Sequence, residues 1–78
     1  MAMIIQTVTG PISPDAAGVT MSHEHVLIDG WGVFQTYDFI LYDDVLAISE
    51  LQDLVAAGGR TIVDCTNGGI GRDPAGLR

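Results

Sequence analysis

The two histidines of this sequence, His23 and His25, stand two positions apart in the extended run 22–26. In a strand, residues i and i+2 project from the same face, so both imidazoles point into one small volume. Neutral imidazole is a ligand for zinc, copper, iron or nickel, and both rings are close to that form at neutral pH. We therefore predict a metal-ligand pair, against the alternative of two surface histidines that share no partner.

Two ligands do not complete a catalytic zinc site, which takes about three protein ligands and keeps one position open. Glu24 lies between the histidines and projects from the opposite face of the strand, so we expect a structural role for it. The other ligands must come from elsewhere.

Strands and helices alternate around the histidines. Residues 3–9 and 19–28 are rich in β-forming side chains, and we expect these two runs to pair as a short antiparallel hairpin. A helix is predicted over residues 44–57, with an Asp N-cap, an apolar stripe at helical spacing and two glycines after it. Residues 60–66 predict a second strand, and Asp73-Pro74 opens another helix. This alternation indicates a parallel sheet of α/β class.

Residues 29–42 contain aromatic side chains at irregular spacing, which fits neither a helix nor a strand. We therefore predict a long loop there. Long loops are often functional, so the aromatic side chains would line an apolar substrate pocket. The alternative, equally weighted, is that they fill the space between a strand and the next helix.

Polar side chains also follow the second predicted strand. Asp64 and Thr66 share a face and Asn67 comes next, so they are candidates for orienting a metal-bound histidine. Bonding to the adjacent turn is at least as good an explanation. The glycines at 68, 69 and 71 match neither the P-loop nor the dinucleotide fingerprint, which argues against nucleotide binding.

Composition limits the partners and the compartment. Ten acidic residues against three basic ones give a net charge of −7, which argues against binding to nucleic acid or to an anionic membrane surface. The single cysteine fits a reducing compartment, and no leader or membrane-spanning run is evident, so a cytoplasmic protein is expected. With 78 residues and 47% hydrophobic residues, we expect residues 1–78 to be the N-terminal fragment of one larger domain.

Four motifs together resemble the N-terminal portion of the phosphotriesterase family, of the amidohydrolase superfamily. In order, they lie at residues 7–12, 18–25, 58–64 and 69–74 and span nearly the whole chain. The resemblance implies a (β/α)8 TIM barrel, of which this chain supplies a short β-hairpin and the first two βα units. It also implies that His23 and His25 bind a divalent metal, for which we expect zinc, with two metals in the complete site.

In such proteins the other ligands are a carboxylated lysine, two histidines and an aspartate from later strands. The implied reaction is attack of a metal-activated hydroxide on a phosphotriester, lactone or other small ester. A homo-oligomer of the full-length protein is a further expectation. The alternatives are a non-catalytic binding or structural protein on the same scaffold, or an inactive truncated product. We expect the 78-residue chain alone to be inactive.

Overall fold

The computed structural model describes residues 3–78. Met1 and Ala2 lie outside the described residues, and they belong to the N-terminal stretch in which no leader is expected. The chain begins with an antiparallel hairpin of β1 (Ile5–Thr7) and β2 (Gly10–Ile12). The expectation that residues 3–9 pair with residues 19–28 was therefore wrong. The chain reverses at residues 8–9. Gly10, the first residue of β2, follows at φ 126°, a conformation that residues other than glycine rarely adopt.

The second extended run forms β3 (Thr20–Glu24), which carries His23 and ends directly before His25. The predicted loop that follows contains short elements, so the expectation of an irregular segment was wrong in part. These elements are β4 (Ile28–Asp29), helix α1 (Trp31–Phe34), a 3-10 turn (Tyr37–Phe39) and β5 (Ile40–Leu41). β4 and β5 pair antiparallel and close the segment at its base.

Aromatic rings pack in two pairs inside this segment. The centroids of Trp31 and Tyr37 lie 5.0 Å apart, and those of Phe34 and Phe39 lie 4.6 Å apart. All four side chains are nevertheless exposed in this chain. The pairs therefore give the segment local contacts but do not bury its aromatic side chains.

The predicted long helix is confirmed as α2 (Asp44–Ala56). Its N-cap is Asp43, whose carboxylate accepts a hydrogen bond from the backbone N–H of Leu46 at 3.0 Å. Gly58 follows the helix with a φ of 99°. Many helices end at a glycine with a positive φ. The helix packs loosely, because most of its apolar stripe remains exposed.

Helix α2 leads into β6 (Thr61–Asp64), which lies beside β3 and runs parallel to it. Met21 pairs with Ile62 and Glu24 pairs with Asp64. Two residues of β3 therefore lie opposite one residue of β6 between these pairs, which is a β-bulge. A 3-10 turn (Gly68–Ile70) and α3 (Pro74–Leu77) complete the chain. The parallel strand–helix–strand arrangement expected from the sequence is thus present.

The chain buries few apolar side chains. Among residues 3–78 the buried ones are Leu27 and Ile28, at 5% and 7% exposure. The radius of gyration is 13.9 Å, against about 11.5 Å for a globular domain of this length. No helix in the described part of the chain is long and apolar enough to cross a membrane.

Candidate metal centre

The structure brings His23 and His25 together at the carboxyl end of β3. Their ring centroids lie 5.6 Å apart and their planes are inclined by 70°. Two imidazoles that share one metal through bonds of about 2.1 Å hold their centroids roughly 5–6 Å apart. His23 is exposed and His25 is half-buried, so one ring is accessible and the other is held by protein. The distance between the centroids is therefore one that two imidazoles sharing a metal ion would require.

Thr66 contacts the ring of His25. The Nδ1 atom of His25 lies 2.8 Å from the hydroxyl oxygen of Thr66, which donates its own hydrogen to the carbonyl of Leu27 at 3.3 Å. Which of the two atoms donates in the contact with Nδ1 depends on the tautomer of His25. Nδ1 is engaged in this contact, so Nε2 is the ring nitrogen left open to a metal. The structure thus places Thr66 beside the metal-ligand candidate, as the sequence suggested.

Asp64 supports the same corner through backbone groups. One carboxylate oxygen accepts from the N–H of Val26 at 2.9 Å and the other from the N–H of Thr66 at 2.8 Å. Burial by itself would raise the pKa of Asp64, but the hydrogen bonds from Thr66 and Val26, with the charge of His25, lower it. The bond from Thr66 fits the turn-bonding alternative, whereas the bond from Val26, which ties Asp64 to the residue after His25, was not predicted.

Asn67 has a local role. Its side-chain oxygen accepts from the N–H of Gly69 at 2.9 Å and caps the 3-10 turn. Gly71 continues the turn at φ 84° and closely approaches the backbone of Asp29. The turn-bonding alternative therefore accounts for Asn67.

The described residues supply only part of a metal ligand set. Across residues 3–78, no group of three or more His, Cys, Asp or Glu side chains is placed to hold a metal ion. The two imidazoles would accordingly need further ligands.

Two parallel strands joined by a helix define an α/β protein. The paired imidazoles at the end of the first strand form its candidate metal site. The model of the phosphotriesterase family matches residues 3–78. The chain therefore belongs to the phosphotriesterase family.

Relatives agree with this assignment. The chain is 40% identical over 72 residues to a phosphotriesterase homology protein of Mycobacterium tuberculosis, covering 87% of this chain and 22% of the relative. It is 33% identical over 70 residues to a phospho-furanose lactonase of Mycoplasmopsis agalactiae, covering 88% and 20%. The chain thus spans about a fifth of the length of these curated relatives.

Solved structures agree as well. A lactonase from Listeria monocytogenes superposes with a TM-score of 0.86 at 34% identity, covering 96% of this chain and 23% of that one. A resiniferatoxin-binding protein from Rhodobacter sphaeroides gives 0.81 at 35% identity, covering 95% and 29%. The mixed helix and strand fold therefore matches the N-terminal part of phosphotriesterase-like TIM barrels.

Proposed function

We propose that this chain forms the N-terminal part of a single (β/α)8 barrel, a metal-dependent hydrolase in which His23 and His25 are metal ligands. The observation that carries the proposal is the pair of rings at 5.6 Å, one of which has its Nδ1 engaged by Thr66. Membership of the phosphotriesterase family supports it. So does the likeness to a phospho-furanose lactonase and to an organophosphorus hydrolase from Deinococcus radiodurans.

Each histidine has a defined part in this proposal. His25 presents Nε2 from a half-buried, hydrogen-bonded ring, and His23 adds a second, exposed imidazole from the same strand end. A divalent metal such as zinc, when bound, lowers the pKa of water and polarises the bond under attack. The lysine, aspartate and two histidines that complete a two-metal site would come from other strands of the whole protein.

The substrate class that we propose is a small ester: a lactone, a phosphotriester or a related compound. The proposed location is the cytoplasm, which fits a chain with one free cysteine. Charge on the chain, −7 in total, disfavours nucleic acid as a partner.

A second candidate function is a binding protein on the same scaffold. It is favoured by the likeness to the resiniferatoxin-binding protein from Rhodobacter sphaeroides. A lysine, two histidines and an aspartate at the ends of successive later strands would favour the hydrolase. Their absence from the full-length protein would favour the binding protein.

The test replaces both histidines in the full-length protein, as His23→Ala with His25→Ala. We expect loss of bound metal and loss of lactone and phosphotriester turnover. Glu24→Gln is the matched control, because that residue lies between the histidines, and it should retain both. Unchanged metal content and turnover in the double variant would contradict the proposal.

A further inference from the structure

We propose that Thr66 is a positioning residue that fixes the tautomer of His25 before any metal arrives, so that Nε2 is the ligating atom. The part of this inference that concerns metal rests on the proposed function. The part that concerns the tautomer stands on the hydrogen bonds of the chain itself.

The Thr66 hydroxyl has a single hydrogen and two neighbouring polar groups. The Thr66 oxygen lies within hydrogen-bond distance of two groups, His25 Nδ1 at 2.8 Å and the carbonyl oxygen of Leu27 at 3.3 Å. A carbonyl can only accept, so it takes the single hydroxyl hydrogen. The contact with His25 must then use a hydrogen on Nδ1, and neutral His25 keeps its lone pair on Nε2.

The hydroxyl is held firmly in place. Thr66 is 7% exposed, so water competes little for either hydrogen bond. Its own N–H donates to Asp64, and the N–H of the preceding Cys65 donates to the carbonyl of Glu24 at 2.8 Å. These bonds join the end of β6 to the end of β3, and thereby place the Thr66 oxygen against the ring.

The two βα units therefore contribute different groups to the candidate metal centre. β3 leads into the ligating imidazole, whereas β6 leads into the group that selects which nitrogen is free. A ring with its tautomer already selected avoids the cost of reorganisation on metal binding, and loss of such a partner typically weakens metal affinity 10–100-fold.

The experiment uses the full-length protein with 15N-labelled histidine, freed of metal and held at pH about 8, which is above the ordinary pKa of imidazole. Long-range proton–nitrogen spectra then report which ring nitrogen of His25 carries the hydrogen. The His25 signal is assigned by its loss in His25→Gln. Zinc affinity is measured in parallel by competition with a chelator.

Three threonine variants are compared. Thr66→Val removes the hydroxyl at nearly constant shape, and Thr66→Ser retains it. Thr61→Val is the matched control, because Thr61 lies at the other end of β6 and donates its hydroxyl hydrogen to the carbonyl of Ala17 at 2.6 Å. All three are checked for folding by circular dichroism.

We expect wild type, Thr66→Ser and Thr61→Val to carry the hydrogen on Nδ1 and to bind zinc alike. Thr66→Val should shift His25 toward the Nε2–H tautomer and lose 10–100-fold in zinc affinity. A wild-type spectrum with the hydrogen on Nε2 would overturn the inference, whether or not Thr66→Val folds. So would a folded Thr66→Val protein with unchanged tautomer and zinc affinity. Nδ1–H in wild type without any zinc binding would instead support the inference on the tautomer and contradict the proposed function.

Discussion

The carboxylate of Asp64 accepts a hydrogen bond from the backbone N–H of Val26 at 2.9 Å, across 38 positions of sequence. Its other oxygen accepts from the N–H of Thr66 at 2.8 Å. One side chain thus joins the residue that follows His25 to the residue that contacts the ring of His25. The geometry of the candidate metal centre depends on this carboxylate even though it does not touch either imidazole.

Replacing Asp64 with Asn should destabilise the full-length protein by about 1–3 kcal/mol, because one of the two N–H groups then faces an amide instead of an acceptor. Equilibrium unfolding in urea measures the change. Asp53→Asn, at an exposed position of α2, is the control and should have little effect.

The effect of Asp64→Asn should also depend on pH. The pKa of Asp64 is lowered in the folded chain. Burial raises it, but the hydrogen bonds to the carboxylate together lower it by more. A lowered pKa contributes stability that is fully present above the unfolded value of about 3.9 and is lost as the pH falls through the folded value. The stability difference between wild type and Asp64→Asn should therefore narrow below pH about 4. A difference that widens with acid would contradict this account of Asp64.

The N-cap of α2 gives a second prediction. Asp43→Ala removes the acceptor for the N–H of Leu46, and should cost about 1 kcal/mol of unfolding free energy. Asp43→Asn retains a capping oxygen and should remain close to wild type. Thermal unfolding of the full-length variants distinguishes the two, and equal losses in both would show that the cap is not the cause.

Tyr42 and Asp73 give a third prediction. The hydroxyl of Tyr42 donates to the carboxylate of Asp73 at 2.9 Å. This bond, with smaller effects of burial and of the charges of Asp73 and Asp29, raises the pKa of Tyr42.

Asp73→Asn removes the charge, so the pKa of Tyr42 should fall toward the ordinary value of about 10. Tyrosine-ring carbon signals measured against pH report it, with the Tyr42 signal identified in Tyr42→Phe. The ring signal of Tyr37 serves as the internal control. An unchanged or higher pKa of Tyr42 would contradict the assignment.

The 78-residue chain alone gives a fourth prediction. With two buried apolar side chains among residues 3–78, it should show no cooperative thermal transition by circular dichroism, because one small, open core contributes too little stabilisation. It should also show no turnover of lactones or phosphotriesters. A sharp melting transition, or activity of the purified chain, would prove this expectation wrong.

Local signals in the sequence predicted the elements that depend on near neighbours. Helix α2 follows from an Asp cap, an apolar stripe and terminal glycines, all within one segment. Strand alternation predicted that His23 and His25 meet, and their rings do lie together, although β3 contains an extra residue and ends before His25. The N-cap at Asp73 and the proline after it likewise predicted the start of α3.

The features that could not be predicted from the sequence depend on residues far apart in the chain or on very short elements. The sequence named Thr66 only as one candidate for orienting a histidine, because its contact with His25 joins residues 41 positions apart. The parallel pairing of β3 with β6 brings the two strand ends together. β2 contains Gly10 and Pro11, which usually interrupt strands, so the early hairpin was hidden. The elements between residues 28 and 41 are too short to produce a period.

The central claim, that His23 and His25 ligate one metal, is tested most directly by anomalous diffraction from crystals of the full-length protein loaded with zinc. The account predicts an anomalous peak bonded to both imidazoles, through Nε2 in the case of His25 because Nδ1 is bonded to Thr66. A fully occupied zinc peak elsewhere, with neither imidazole bonded to it, would contradict the claim.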